Sequence, residues 1–253
     1  MLVSVVVPMK DEEGSLPLLA RELDGLAGEL RERGAELEAV LVDDGSTDGT
    51  GPAAAALCAA RPGWQLLTHA ANRGFGAGLR TGVRASRGDV VVSYDADCAY
   101  PAADVLRLLD VLASGADVAS ATPYAGASTA DAPAWRLLLS RGCSAAYRLV
   151  LRGRARGVRT FTCAFRAYRG ERLRALRWDA DGFLAAAEIL ARLLAAGARV
   201  VEVPSDLRPR VAGVSKMRVA RTAWAHVRLL ARLALAAPGA RPAPAETPRG
   251  APA

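Results

Sequence analysis

Asp89-Val90-Val91-Val92-Ser93-Tyr94-Asp95-Ala96-Asp97 is an apolar, β-branched run that stops at two carboxylates. Such a run suits a strand buried on both faces of a parallel sheet. The design recurs upstream. Residues 3–7 are a β-branched run closed by Pro8 and followed by Asp11-Glu12-Glu13, and residues 39–42 run into Asp43-Asp44-Gly45. Between these two runs, Leu16, Leu19, Leu23, Leu26 and Leu30 recur at helical spacing until Gly34, which predicts an amphipathic helix.

Outward from these runs the alternation continues. A helix is predicted over 52–60, a short strand over 65–68, and a glycine-punctuated segment over 72–85 that ends as a helix. Val105, Leu108, Leu109 and Leu112 mark another helix before a strand over 118–121. Alternation this regular predicts an α/β fold with a doubly wound, mostly parallel sheet, Rossmann-like, with helices on both faces. Ligands of such sheets sit at the carboxyl ends of the strands. Three acidic clusters fall at three such ends.

The second half is less regular. Helices are predicted over 135–151, 182–196 and 218–237, and a strand over 199–203 that ends at Pro204. Residues 160–168 read as strand or turn. The Pro-, Ala- and Gly-rich residues 238–253 read as a disordered tail.

With 253 residues, 51% of them hydrophobic, the chain can bury a substantial core. The formal net charge is +7, and lysine occurs only at Lys10 and Lys216, so arginine carries the charge. An arginine-rich surface fits nucleic acid, anionic lipid headgroups or phosphorylated substrates. No nucleic-acid motif and no interleaved aromatics occur, so nucleic acid is not expected as a partner. Cys58, Cys98, Cys143 and Cys163 form no CxxC pair, and two histidines make no zinc cluster. The cysteines read as small buried side chains in a reducing compartment. The first apolar run follows no basic region and ends in charges, so it reads as a strand rather than a signal peptide. No run of 18 apolar residues predicts a membrane-spanning helix.

Four segments carry candidate chemistry. Two carboxylates two residues apart at a strand end, Asp95 and Asp97, can reach one hard cation such as Mg2+ or Mn2+, which keeps positions open for phosphate oxygens. As plain turn residues they would be solvated, and a second copy, Asp179-Ala180-Asp181, follows no apolar run and reads as a loop. In Asp43-Asp44-Gly45-Ser46-Thr47-Asp48-Gly49-Thr50, the Asp44 carboxylate can accept a base N–H or a ribose hydroxyl, while Ser46, Thr47 and Asp48 read as caps of the next helix. Asn72-Arg73-Gly74-Phe75-Gly76-Ala77-Gly78 fits a dinucleotide loop poorly and reads as a tight turn into a closely packed helix. Arg210 and Lys216 bracket Gly213 and Ser215 in a segment able to clamp a diphosphate, or to stand as an exposed basic loop.

In this order the segments resemble family 2 glycosyltransferases, in particular the dolichol- or polyprenol-phosphate mannosyltransferase-like branch. Phe165-Arg166-Ala167-Tyr168, Gly182-Phe183 and Glu188 extend the likeness, which runs from about residue 3 to about residue 217. The resemblance implies a GT-A-type fold and inverting transfer from a nucleoside-diphosphate sugar, of GDP-mannose or UDP-glucose type. It implies donor-nucleotide contacts at Pro8, Lys10, Glu12, Val42, Asp44, Asp95 and Ala96, and a metal at Asp95 and Asp97. Asp97, Arg210 and Lys216 are the implied catalytic group. In polyprenol-phosphate members the acceptor phosphate is itself the nucleophile. The chain departs from the family at Lys10, usually aromatic; at Ala99, often glutamine; and at Pro123, often basic. Arg136 or Arg141 is then expected to bind the acceptor phosphate.

The expected organisation is a glycosyltransferase domain over 1–217, a basic amphipathic helix over 218–237 and the tail. Arg221, Arg228 and Arg232 fall on one face of that helix, and Arg141, Arg148 and Arg152 repeat the spacing earlier. Such stripes can lie on an anionic membrane surface or stand solvated on a packed helix, and the expectation is a cytoplasmic protein, peripheral on the inner face of the membrane. Two other readings remain open. A soluble hydroxyl acceptor would need a general base, for which Glu188 and Asp181 are candidates. A non-catalytic nucleotide-binding module would need neither.

Overall fold

The computed structural model describes residues 1–124, 134–208 and 219–235, with the side chains of 134–137 and 219–222 outside that description. The strands are β1 (Leu2–Met9), β2 (Glu36–Asp43), β3 (Trp64–Thr68), β4 (Val90–Ser93), β5 (Val118–Thr122), β6 (Arg166–Arg169) and β7 (Val200–Pro204). The helices are α1 (Leu16–Glu32), α2 (Thr50–Ala59), α3 (Phe75–Ala85), α4 (Asp104–Ala113), α5 (Ala134–Leu151), α6 (Gly170–Ala175), α7 (Leu184–Ala195) and α8 (Val219–Leu235).

The described strands form one seven-stranded sheet in the order β3-β2-β1-β4-β6-β5-β7. All pairings are parallel except those of β6, which runs antiparallel to both β4 and β5. The apolar runs explain why β1, β2 and β4 are central: their side chains are buried on both faces. On β1, Val3, Val5 and Val7 enter one core layer with α1 and α4, whereas Val6 enters the other with α3 and α7. The five leucines of α1 predicted to face inward are all buried. Gly34 follows that helix at φ +68°, a left-handed backbone that glycine adopts without strain.

Three features were left open or unforeseen by the sequence. The 160–168 segment yields a strand only at its end, and that strand is antiparallel. Helix α6 follows it directly and was not foreseen, because six residues are too few for a periodic signal. Helix α8 packs on the domain, one of the two readings of its arginine stripe: Leu229 is buried in the core, Leu230 and Leu233 pack against it, and His226 Nδ1 lies 2.9 Å from the Tyr147 hydroxyl of α5. The predicted tail over 238–253 lies outside the described residues.

Candidate active site

The chain winds from β1 through β2 to β3 on one side, and β4 pairs with β1 on the other. The carboxyl ends of β1 and β4 therefore flank the point where the winding direction reverses, where such sheets form a crevice. A cleft of about 250 Å3 opens there. Its lining includes Pro8, Lys10 and Glu12 from the end of β1, Asp44 after β2, and Asp95, Ala96 and Asp97 after β4. Met9, Asn72, Gly74, Phe75, Gly182 and Phe183 complete it. Seven residues singled out from three separate stretches of sequence thus share one cavity.

Local backbone chemistry aims these side chains. Asp11 and Cys98 both hold left-handed φ angles, +50° and +51°. Each immediately follows a cleft residue, Lys10 or Asp97, and such conformations persist only where the surroundings enforce them. Around Asp11, Thr47 donates its N–H to the carboxylate at 2.7 Å and Lys10 Nζ lies 2.5 Å from it. The lysine bond first, and the Thr47 N–H after it, hold the Asp11 carboxyl down at about 2. After β4, Tyr94 turns inward to donate its hydroxyl to the Tyr100 carbonyl at 2.5 Å, and the Ala99 N–H donates to Asp97 Oδ1 at 3.1 Å. Asp97 is only 6% exposed and still lines the cleft.

Much of the acidic sequence serves the loops instead. Asp43 accepts the Ser46 N–H, Glu13 accepts the Gly49 N–H, and Ser46 accepts the Asp11 N–H. Ser46 and Thr47 therefore stitch the β1–α1 and β2–α2 loops together rather than cap α2. Only Asp48 behaves as a cap, accepting the Thr50 N–H at 3.0 Å. Asp44 accepts N–H groups of Arg73 and Gly74 at 2.9 and 2.6 Å and meets His69 Nδ1 at 2.7 Å. The 72–78 segment is the tight turn expected: Gly74 has φ +98°, and a Cβ on it would lie 2.5 Å from the Asp181 carbonyl oxygen.

Other expected positions fall elsewhere. Val42 does not line the cleft; it is fully buried against α3, so its side chain can only back the site. Glu188 anchors the loop before α7. It is 3% exposed, accepts the N–H groups of Asp179 and Ala180 and is gripped by Arg192 at 2.6 Å. Asp181 is bound by both terminal nitrogens of Arg80, at 3.0 Å each. The guanidinium of Arg141 lies over the Tyr124 ring, 5.2 Å from its centroid, outside the cleft lining. The Arg136 side chain, Arg210 and Lys216 lie outside the described residues. The described chain reaches Arg208, whose N–H donates to the Ala99 carbonyl at 2.8 Å, two residues beyond Asp97. The arginine stripe expected on α5 is also broken. Arg148 donates to the Val158 carbonyl, and Arg152 lies past the helix end with φ +51°.

The donor set suits a hard cation. Four carboxylates and one ammonium are the charged groups among the described lining residues, so an approaching diphosphate needs a counter-cation. No group of three or more His, Cys, Asp or Glu side chains placed to hold a metal occurs among the described residues. Asp95 and Asp97 offer the oxygen ligands that Mg2+ and Mn2+ prefer.

The sequence matches the Glycosyl transferase family 2 profile over residues 4–177. The chain is a family 2 glycosyltransferase. This transferase is 32% identical over 226 residues to the polyprenol monophosphomannose synthase of Mycolicibacterium smegmatis, covering 84% of this chain and 80% of that protein. It is 29% identical over 236 residues to the dolichol-phosphate mannosyltransferase of Pyrococcus furiosus, covering 92% of this chain and 64% of that one. Its fold superposes with a TM-score of 0.70 on glucosyl-3-phosphoglycerate synthase from Mycobacterium tuberculosis, solved with Mn2+ and UDP. That match is at 20% identity and covers 92% of this chain and 80% of that one. The glycosyltransferase has a GT-A fold, as its sheet order and this likeness show.

Proposed function

We propose that this glycosyltransferase moves a sugar, with inversion, from a nucleoside-diphosphate sugar to a polyprenyl phosphate. The observation that carries the reading is the acidic cleft between the ends of β1 and β4, where Glu12, Asp44, Asp95 and Asp97 converge. The names of the Mycolicibacterium and Pyrococcus relatives support the acceptor class. GDP-mannose and UDP-glucose represent the donor type.

Pro8, Lys10, Glu12, Asp44 and Ala96 contact the donor nucleotide, and Asp95 and Asp97 would hold Mg2+ or Mn2+. When bound, that cation offsets the charge left on the departing nucleoside diphosphate. Arg210 and Lys216 add cations to the same phosphates. Arg136 or Arg141 orients the acceptor. An oxygen of the acceptor phosphate attacks the anomeric carbon from the side opposite the leaving group. The new C–O bond forms as the bond to the nucleoside diphosphate breaks, and its electron pair leaves with that group. The nucleophile is already an oxyanion, so no proton is removed and no general base is needed. The engaged state of Glu188 and Asp181 supports this route over a hydroxyl acceptor.

Residues 1–217 carry the chemistry, and the basic helix assigned to 218–237, whose described part α8 packs on the core through Leu229, serves peripheral membrane contact. Among the described residues no helix is long and apolar enough to cross a membrane. The test is transfer of radiolabelled sugar from GDP-mannose or UDP-glucose to undecaprenyl phosphate with Mn2+ or Mg2+. Label extractable into organic solvent supports the proposal; label found only in water-soluble product overturns the acceptor assignment.

A further inference from the structure

A buried histidine beside the cleft is left unused by this chemistry. His69 follows β3 and is 8% exposed. Its Nδ1 lies 2.7 Å from Asp44 Oδ1, and its Nε2 lies 2.9 Å from the Thr81 hydroxyl on α3. Its backbone N–H continues the β2–β3 ladder by donating to the Asp43 carbonyl at 2.9 Å, so the ring is carried on rigid structure.

The arrangement around Asp44 is nearly saturated. Oδ1 takes His69 and the Arg73 N–H, and Oδ2 takes the Gly74 N–H. An ionised carboxylate offers about four acceptor sites, so one position on Oδ2 is left for the cleft that Asp44 lines. An ionised Asp44 is an acceptor only, so the imidazole must carry its proton on Nδ1. In the neutral ring Nε2 then accepts from Thr81. A charge-assisted bond of this kind, buried at both ends, holds its partners in one geometry.

We propose that His69 is a positioning residue for donor recognition: its Nδ1–H locks the Asp44 carboxylate so that the remaining Oδ2 position faces the donor nucleoside and accepts a base N–H or a ribose hydroxyl. The inference rests on the reading of Asp44 as a donor contact. Thr81 sets the ring plane from the far side, so the triad runs from α3 through the histidine to the cleft.

The two amide isosteres of histidine separate this role from simple packing. Asparagine places its amide nitrogen near the Nδ1 position, glutamine near Nε2. Affinities of GDP and UDP, each with MnCl2, are measured by calorimetry for the native protein and for His69→Asn, His69→Gln and Asp44→Asn. His69→Gln weakens the better-bound nucleotide by about ten- to hundredfold, the scale of a lost hydrogen bond to a charged group. His69→Asn retains most of the affinity. In turnover, His69→Gln raises the donor KM and leaves kcat little changed. Native affinity in His69→Gln, or equal losses in the two histidine variants, overturns the inference. Native affinity in Asp44→Asn overturns the donor-contact reading itself, whereas a loss there without one in His69→Gln removes only the part played by His69. Should the histidine variants fail to fold, the ring nitrogen shifts of native His69 decide. Protonated Nδ1 and a shift on adding nucleotide support the role; bare Nδ1, or shifts indifferent to nucleotide, overturn it.

Discussion

The Asp97 carboxylate accepts the N–H of Ala99 at 3.1 Å, across the left-handed turn made by Cys98. One oxygen is thereby oriented by the backbone, and the side chain is presented to the cleft while nearly buried. The duplicate tripeptide has no such turn, and its Asp181 is paired with Arg80 at the surface. Asp97→Ala is therefore expected to lower sugar transfer roughly 10^3-fold, the equivalent of several kcal/mol of lost cation stabilisation. Asp181→Ala is expected to leave the pH profile of kcat unchanged. A metal-dependent rate near native in Asp97→Ala would sink the cation assignment, and loss of the acidic limb in Asp181→Ala would restore a general base.

Arg166 is fully buried and donates to the Ser120 hydroxyl and to the carbonyls of Ala186, Thr160 and Phe161. It joins β6 to α7 and to the segment before the strand. Arg166→Met fills the space but leaves those acceptors dry, at about 1–3 kcal/mol for each group so stranded. The expected loss is at least about 3 kcal/mol, a fall in Tm of roughly 6–12 °C for a domain of this size. Arg166→Lys should also melt early, because one ammonium cannot span the fork of acceptors. Native melting temperatures in both variants would show that the network contributes nothing.

Acid should weaken the protein through specific loops. The Lys10 and Thr47 bonds hold the folded Asp11 carboxyl at about 2 against an ordinary 3.8. Asp24 is lowered by its bond from Arg61. At Glu38 burial pushes upward, but the bonds from Ser4 and Arg87 outweigh it and the net direction is down. A depressed carboxyl binds fewer protons folded than unfolded, so its stabilisation is present above the unfolded value and fades as pH falls through the folded one. Urea midpoints should drop as pH falls from 3.8 toward 2, and Asp11→Asn should flatten part of that drop. An unchanged slope in Asp11→Asn would remove Asp11 from the account.

On the outer face of α8, Trp224 and Val227 stand exposed beside Arg228, whose guanidinium lies 5.6 Å over the Trp224 ring. Leu138 and Leu149 on the neighbouring α5 are also exposed. Apolar anchors among arginines fit a shallow seat on anionic lipid. Sedimentation with phosphatidylglycerol vesicles is expected, and Arg228→Glu and Arg232→Glu should each cut the bound fraction. The scale is about 1 kcal/mol for each cation removed, more with the charge reversed. Equal recovery in the supernatant with and without vesicles would dismiss the membrane contact.

The sequence alone determined the layers and the address of the site. The apolar runs that form β1, β2 and β4, and the leucine spacing of α1 and α4, are local patterns, and burial in a two-sided sheet follows from them. Carboxylates at the ends of those runs must lie on one edge of a parallel sheet, so Glu12, Asp44, Asp95 and Asp97 were legible as a group. Tertiary structure decided which acids face the cleft and which tie loops, because bonds such as Asp44–His69, Asp11–Thr47 and Asp181–Arg80 join residues 25 to 101 positions apart. It also decided that β6 runs antiparallel, that Glu188 anchors a loop, and that His69 stands behind Asp44. No periodicity announces a partner brought close only by folding. A side chain's hydrogen bonds depend on what the rest of the chain places beside it.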